Sequence, residues 1–314
     1  MNGMISIGID VGGTGIQTGA VDEQGKILVE TSIVTQIDIP FSEQVKRIAD
    51  SVGDVLRILS LTPEDVSRVG IGIPGIASRK NGEIIKCTNM GWNHVPFWSE
   101  WEKWNDRPLF IDNDANVAAL AESVAGVSRG TASSVFITIG TGIGSGIIID
   151  GKIWGGAHGI GGELGHVIMS LDGVPCTCGN RGCLERYCSA TALIRMAREA
   201  VEPGCAILRA VGGDITKIEA RTVIDLAREQ EPMATALYDR WISYLAQAVG
   251  SVVNFLDPEM IVIGGGVSKA GDFLLEPIRQ QFPNHVIFRD QPLPEIKLAV
   301  LGSRAGIIGA AMLS

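Results

Sequence analysis

One order of residues occurs twice in this chain, and it narrows the possible folds more than any single motif. Near the start it reads Ile7-Gly8-Ile9-Asp10-Val11-Gly12-Gly13-Thr14-Gly15, then Ala20-Val21, a turn at Asp22-Glu23-Gln24-Gly25, and Lys26-Ile27-Leu28. Near the middle it reads Phe136-Ile137-Thr138-Ile139-Gly140-Thr141-Gly142-Ile143-Gly144, then Ile147-Ile148-Ile149, Asp150-Gly151 and Lys152-Ile153. Each copy is a strand, a Gly/Thr turn, a strand, an Asp…Gly turn and Lys-Ile. Gly and Asp-Gly at these places are hairpin signals. Two copies, one per half, predict two related lobes.

The turns also have a chemical reading. A glycine-rich turn lets backbone N–H groups approach phosphate oxygens with no Cβ in the way. Thr14 and Thr141 add hydroxyl donors. One hairpin alone could be an ordinary tight turn; the repetition favours two phosphate-binding turns facing a shared cleft. Neither is a Walker-type loop, since neither ends in Gly-Lys-Ser/Thr. Glycine is abundant, with 40 residues in 314, nearly double the usual ~7 %. A third run, Ile263-Gly264-Gly265-Gly266-Val267-Ser268, follows a strand and suits a nucleotide-compatible turn.

The pattern between these turns is α/β. Val45, Ile48, Val52, Val55, Leu56 and Leu59 have helical spacing within residues 43–59. Val69–Ile73 is a strand stopped by Pro74-Gly75, and a turn at Lys80-Asn81-Gly82 precedes Ile84-Ile85. The aromatic stretch 92–104 could stack on a sugar, but Trp98 and Trp101 at helical spacing favour packing beneath a lobe. Pro108-Leu109-Phe110-Ile111 is a buried strand that delivers Asp112-Asn113-Asp114 to a helix over 115–125. Residues 188–255 are mostly helical, and a last strand over 296–301 leads to a small-residue helix over 303–313. The expected division is a first lobe over 1–115, with the C-terminal segment 303–314 packed back on it, and a larger lobe over 116–302.

Asp114 has two readings. It is a helix N-cap, or a base held at a strand end where α/β folds bind ligands. Two acids and an amide are more than one cap needs, which favours the base. A phosphoryl-transfer enzyme needs such a carboxylate beside the attacking hydroxyl.

The other constellation is Cys176-Thr177-Cys178-Gly179-Asn180-Arg181-Gly182-Cys183 with His166 ten residues upstream, flanked by Glu163 and Glu185. Three thiolates and an imidazole make a closed tetrahedral zinc set. Six cysteines could instead pair as disulfides, but the N-terminal residues Met1-Asn2-Gly3-Met4 carry no basic leader, so reduced thiols in a cytoplasmic protein are expected. The net charge of −9 argues against nucleic acid or an anionic membrane as partner. No apolar run is long enough to span a bilayer.

These residues together resemble the ROK family of sugar kinases, which shares the two-lobed actin-like ATPase fold of hexokinases. The likeness is carried by Asp10-Val11-Gly12-Gly13-Thr14, Asn113-Asp114-Ala115-Asn116, Gly140-Thr141-Gly142-Ile143-Gly144, Gly162-Glu163-Leu164-Gly165-His166 and the cysteine segment through Leu184-Glu185. The resemblance implies ATP-dependent phosphorylation of a hexose 6-hydroxyl, glucose first. N-acetylmannosamine or another hexose or N-acetylhexosamine is the alternative, with a non-catalytic sugar sensor as the alternative of another class. It implies that Gly75, Asn89, Asn113, Asp114, Glu163, His166 and Glu185 bind the sugar, with Asp114 as base. Gly12, Gly13, Thr14, Thr141 and Gly142 would hold phosphates, Gly265 and Gly266 would lie near the adenosine, and Asp10 would act through Mg2+ and its waters. His166, Cys176, Cys178 and Cys183 would bind a structural zinc, with His166 facing the sugar through its second nitrogen. The repressor branch carries a helix-turn-helix before the first hairpin; about four residues precede the first strand here, so none is expected. A homodimer is implied by resemblance. Loss of zinc is expected to damage sugar binding before nucleotide binding.

Overall fold

The structure is a computed structural model that describes residues 4–314; Met1-Asn2-Gly3, which bore on the expected lack of a leader, lie outside the described residues. In chain order the elements are β1 (Ile5–Val11), β2 (Gly15–Val21), β3 (Ile27–Val34), α1 (Phe41–Leu59), β4 (Val66–Ile73), β5 (Ile76–Ala77), β6 (Glu83–Cys87), β7 (Trp92–Pro96), α2 (Phe97–Trp101), β8 (Leu109–Asn113) and α3 (Asp114–Ala125). They continue with β9 (Ser133–Ile139), β10 (Ile143–Ile149), β11 (Lys152–Ile153), α4 (Glu185–Cys188), α5 (Ala190–Ala200), α6 (Ala206–Ala210), α7 (Ala220–Arg228), α8 (Pro232–Leu256), β12 (Met260–Gly264), α9 (Asp272–Gln281), β13 (Glu295–Leu298) and α10 (Ala305–Ala311). Both predicted hairpins are present. The last strand stops at Leu298, and the last helix opens with a 3-10 turn over Gly302–Arg304. No described helix is long and apolar enough to cross a membrane.

The chain divides into two compact units. The first holds the residues before 135 together with Gly146–Gly162 and Val300–Ser314. Its main sheet has the order β3-β2-β1-β4-β8. β1 to β3 are antiparallel, while β1, β4 and β8 run parallel. The register aligns Asp10 with Gly72, and Gly72 with Asp112. Both acids therefore lie in one row at the C-terminal ends of parallel strands.

Alternation explains the two faces of this sheet. Ile5, Ile7, Ile9 and Val11 of β1, with Val69, Ile71 and Ile73 of β4, join Val45, Ile48, Val52 and Val55 of α1 in one buried core. Each such aliphatic side chain contributes ~1.5–3 kcal/mol on burial. On the opposite face Gly8 and Gly70 stand where side chains would be. A Cβ on either would meet the backbone oxygen of Ile307 or Ala310 at 1.8 Å. Only glycine lets α10 lie directly on β1 and β4. Buried Glu122 ties the approach to α10 to α3: its Oε1 accepts from the N–H groups of Val300 and Leu301, both at 2.9 Å, and its Oε2 from Val127 at 2.9 Å.

The aromatic stretch 92–104 packs as core. Trp92, Phe97 and Trp101 are buried, and Phe41, Trp92, Phe97 and Trp101 form a chain of ring contacts 5.5–6.4 Å apart. Its first residues are a strand, β7, which pairs with β6 in the small sheet β5-β6-β7. The helix expected from the spacing of Trp98 and Trp101 is α2.

The second unit holds Val135–Ser145 and Glu163–Ala299. Its strands belong to the sheet of order β11-β10-β9-β12-β13. The 25-residue α8 starts with Pro232 at its first position, where the missing N–H does no harm. It buries Trp241, Ile242, Leu245, Val249 and Val253, and the Trp241 indole donates to the Ser189 carbonyl at 3.1 Å.

Candidate active site

In the first unit the Gly12–Gly15 turn is closed by the Gly12 N–H donating to the Gly15 carbonyl at 2.9 Å. Thr35 braces it: its hydroxyl donates to the Gly12 carbonyl at 2.7 Å, and its N–H to the Thr14 carbonyl at 3.3 Å. Gly13 and Thr14 are exposed. Asn89 lies against the turn, its Nδ2 3.6 Å from where a Cβ of Gly13 would be.

Asp10, just before this turn, is largely buried, and burial raises its carboxyl to about 6. Its space is left by Gly306, where a Cβ would stand 2.2 Å from Asp10 Oδ2. A buried carboxylate is costly without a cation, so this one fits a group that acts on a metal ion or its waters.

The β8–α3 junction resolves the roles of its three polar residues. Asn113 is the N-cap: its Oδ1 accepts from Ala115 at 2.8 Å and Asn116 at 3.4 Å, and its Nδ2 donates to the Gly75 carbonyl at 3.0 Å. Asp112 is the buried anchor. Its Oδ1 accepts from the Asn113 N–H at 2.7 Å and from Asn116 Nδ2 at 2.9 Å, while its Oδ2 pairs with the Arg79 guanidinium. Burial raises the Asp112 carboxyl; Arg79, Asn116 and the Asn113 N–H partly offset that. Asp114 is the first helical residue and is exposed, with its Oδ1 accepting the Ala115 N–H at 2.9 Å. The capping duty thus falls to Asn113. Burial pushes the Cys87 thiol up to about 11; the backbone groups of Met90 and Asn89 oppose this and the charge of Asp114 adds to it.

In the second unit the Gly140–Gly142 turn is closed by the Gly140 N–H donating to the Gly142 carbonyl at 3.0 Å. The segment from Glu185 to Thr191 holds it at three points. Glu185 Oε2 accepts the Ile143 N–H at 3.1 Å, the Ala190 N–H donates to the Gly140 carbonyl at 2.9 Å, and the Thr191 hydroxyl donates to the Thr141 carbonyl at 2.7 Å. Gly265 has a left-handed φ of 84°, and a Cβ there would lie 2.4 Å from the Ile139 carbonyl oxygen. The third glycine run therefore packs against the end of β9.

His166, Cys176, Cys178 and Cys183 converge, with ligand atoms all within 4.8 Å of one another. His166 Nδ1 lies 3.8 Å from Cys176 Sγ, and the Cys178 and Cys183 sulfurs are 3.6 Å apart. Tetrahedral ligands ~2.3 Å from a zinc ion stand ~3.8 Å apart, so the donor set fits. All six cysteines stand as free thiols in the structure. Cys188 is buried outside the cluster. Glu163 starts the short turn that carries His166, whose N–H donates to the Glu163 carbonyl at 3.0 Å.

The sequence pattern of the ROK family matches residues 6–314. The chain belongs to the ROK family. Its fold is the actin-like ATPase fold of that family's sugar kinases. The glucokinase of Thermotoga maritima is 36 % identical over 307 residues, spanning 97 % of this chain and 95 % of its own length. The glucokinase of Halalkalibacterium halodurans is 37 % identical over 312 residues, spanning 98 % and 94 %. A solved ROK family glucokinase from Streptomyces griseus, in complex with glucose and AMPPNP, is 33 % identical, spans 98 % of both chains and has a TM-score of 0.80.

Three residues of this ROK chain lay outside the sequence reading of the site: Arg79, Asn116 as a side-chain partner, and Thr191. Their partners are 33, 4 and 50 residues away. Only the Asp112–Asn116 spacing, one helical turn, offered a signal.

Proposed function

We propose that this protein is an ATP-dependent hexose kinase that transfers the γ-phosphoryl group to the 6-hydroxyl of glucose. The observation that carries the reading is the β8–α3 junction. An exposed aspartate stands at the helix start while its neighbour Asn113 does the capping and Asp112 does the anchoring. Full-length likeness to glucokinases of about one-third identity supports it.

On this reading Asp114 accepts the proton of the sugar hydroxyl as that oxygen attacks phosphorus, and the terminal phosphoryl group leaves ADP behind. N–H groups and hydroxyls of Gly12, Gly13, Thr14, Thr141 and Gly142 hold phosphate oxygens, and Gly265 and Gly266 border the adenosine. Asn89, Asn113, Glu163, His166 and Glu185 hold sugar hydroxyls, and Gly75 lines the same pocket. Mg2+ would supply charge neutralisation on the phosphates, with Asp10 as the residue that would act through its waters. Zinc on His166, Cys176, Cys178 and Cys183 is structural; with Nδ1 turned to the sulfurs, Nε2 is the nitrogen left to meet the sugar. The reading also takes the enzyme to be a cytoplasmic homodimer.

The test is a panel. Purified protein with Mg-ATP is offered glucose, mannose, fructose, allose, N-acetylglucosamine and N-acetylmannosamine, and ADP release is followed. The expected result is the highest kcat/KM for glucose. No ADP release with any of these sugars would overturn the kinase assignment in favour of a sensor, and a preference for N-acetylmannosamine would overturn glucose alone.

A further inference from the structure

The second phosphate turn is built on a carboxylate. Glu185 Oε2 accepts the N–H of Ile143, the residue that ends the Gly140–Gly142 turn. A Cβ on Gly142 would lie 2.3 Å from that same oxygen. A side chain at Gly142 would displace the Glu185 carboxylate from its place against the turn. The contact is reinforced by the Ala190 N–H to Gly140 and the Thr191 hydroxyl to Thr141. A negative charge thus sits inside a loop assigned to an anionic ligand. A phosphate site ordinarily gathers positive charge or bare N–H groups, so the arrangement calls for an explanation.

We infer that Glu185 and Thr191 are positioning residues for the Gly140–Gly142 turn, and that through Glu185 the sugar controls how well this turn accepts phosphate. The inference rests on the assignments of Glu185 to the sugar and of Thr141 and Gly142 to phosphate. Without sugar, the Glu185 carboxylate repels phosphate at close range and holds one N–H of the turn. When sugar hydroxyls donate to Oε1, they draw part of the carboxylate's electron density away from the turn, and the repulsion falls. Sugar and nucleotide then bind with positive coupling, which by linkage is reciprocal. The consequence for the reaction is economy: with no sugar bound, ATP is held weakly and water attacks it rarely. Thr191 has a separate effect, because its hydroxyl fixes the Thr141 carbonyl and hence the orientation of the next N–H.

The test is calorimetry of Mg-ADP binding to full-length zinc-loaded protein, with and without saturating glucose. Wild type is expected to bind ADP at least about fivefold tighter with glucose, the low end of typical coupling. Glu185→Gln keeps an oxygen that accepts the Ile143 N–H but loses the charge. It is expected to bind ADP severalfold tighter than wild type in the absence of sugar, with the glucose effect reduced towards one. Thr191→Val is expected to weaken ADP binding severalfold and leave glucose affinity unchanged, and Thr191→Ser to restore it. A Glu185→Gln protein whose sugar-free ADP affinity equals or falls below wild type overturns the inference. The outcome is separable from the kinase reading: if wild type binds no glucose that reading fails, yet the sugar-free comparison still decides whether the Glu185 charge opposes phosphate.

Discussion

At the scale of single residues the site stores unfavourable electrostatics. Asp10 has its carboxyl raised by burial from an ordinary 3.8 to about 6. Between those values the folded protein keeps a proton that the unfolded chain releases, so stability falls as pH rises through that window. Above about pH 6 the whole penalty is present, on the order of 3 kcal/mol for a shift of about two units. Asp10→Asn is therefore expected to stabilise the nucleotide-free protein by ~1–3 kcal/mol at pH 8 and by little at pH 4. Urea melts of both proteins at the two pH values check this, and an equal effect at both would refute it. The same variant should lose most kinase activity. Asp114→Asn is expected to lower kcat by ~10²–10⁴ while the glucose dissociation constant stays within a few-fold of wild type; near-normal turnover would remove the base assignment. Much of this chemistry was legible in the sequence. Asp114, the glycine turns and the metal ligands all announce themselves by local spacing. The Arg79–Asp112 pair and the Thr191–Thr141 bond were not legible, because an ion pair between a hairpin and a strand end leaves no periodic trace.

At the scale of elements, the glycines that spelled out the turns also served a purpose the turns did not reveal. Gly8 and Gly70 are there for α10 to rest on the sheet. Gly70→Ala would drive a methyl group into the Ala310 carbonyl and is expected to destabilise the protein by about 3 kcal/mol. Gly53 is the contrast: it lies in α1 with no atom within 4 Å of its added Cβ. Gly53→Ala should therefore stabilise by ~0.5–1 kcal/mol through helix propensity alone. Chemical denaturation of the two variants in parallel decides the point, since equal signs would contradict the packing account. Element types were read well where one period dominated, as in α1 and β1. The helical spacing of Trp98 and Trp101 likewise agrees with α2, while Trp92 opens a strand, β7, that the aromatic run did not announce.

At the scale of the whole molecule, the repeat predicted two related halves, and the fold and family bear out that architecture. What composition could not show is how the halves are threaded. The first unit is made from three separate stretches of chain. Metal removal belongs to this scale too. The cysteine segment leads straight into Glu185, whose carboxylate braces the Ile143 N–H. Chelation is therefore expected to lower the melting transition by roughly 10 °C, and to weaken glucose binding most and ADP binding less but measurably. Scanning calorimetry and titration of the stripped protein check both, and an unchanged glucose affinity in folded, metal-free protein would count against the structural role. The seat of α10 has a further consequence in the cell. β1 begins at residue 5 and its covering helix at residue 305, so at ~5–20 residues per second a ribosome needs about 15–60 s to make the second after the first. For all that time the glycine face of the earliest strand is bare, and nascent chains of this protein are natural clients for whatever shields unfinished sheets.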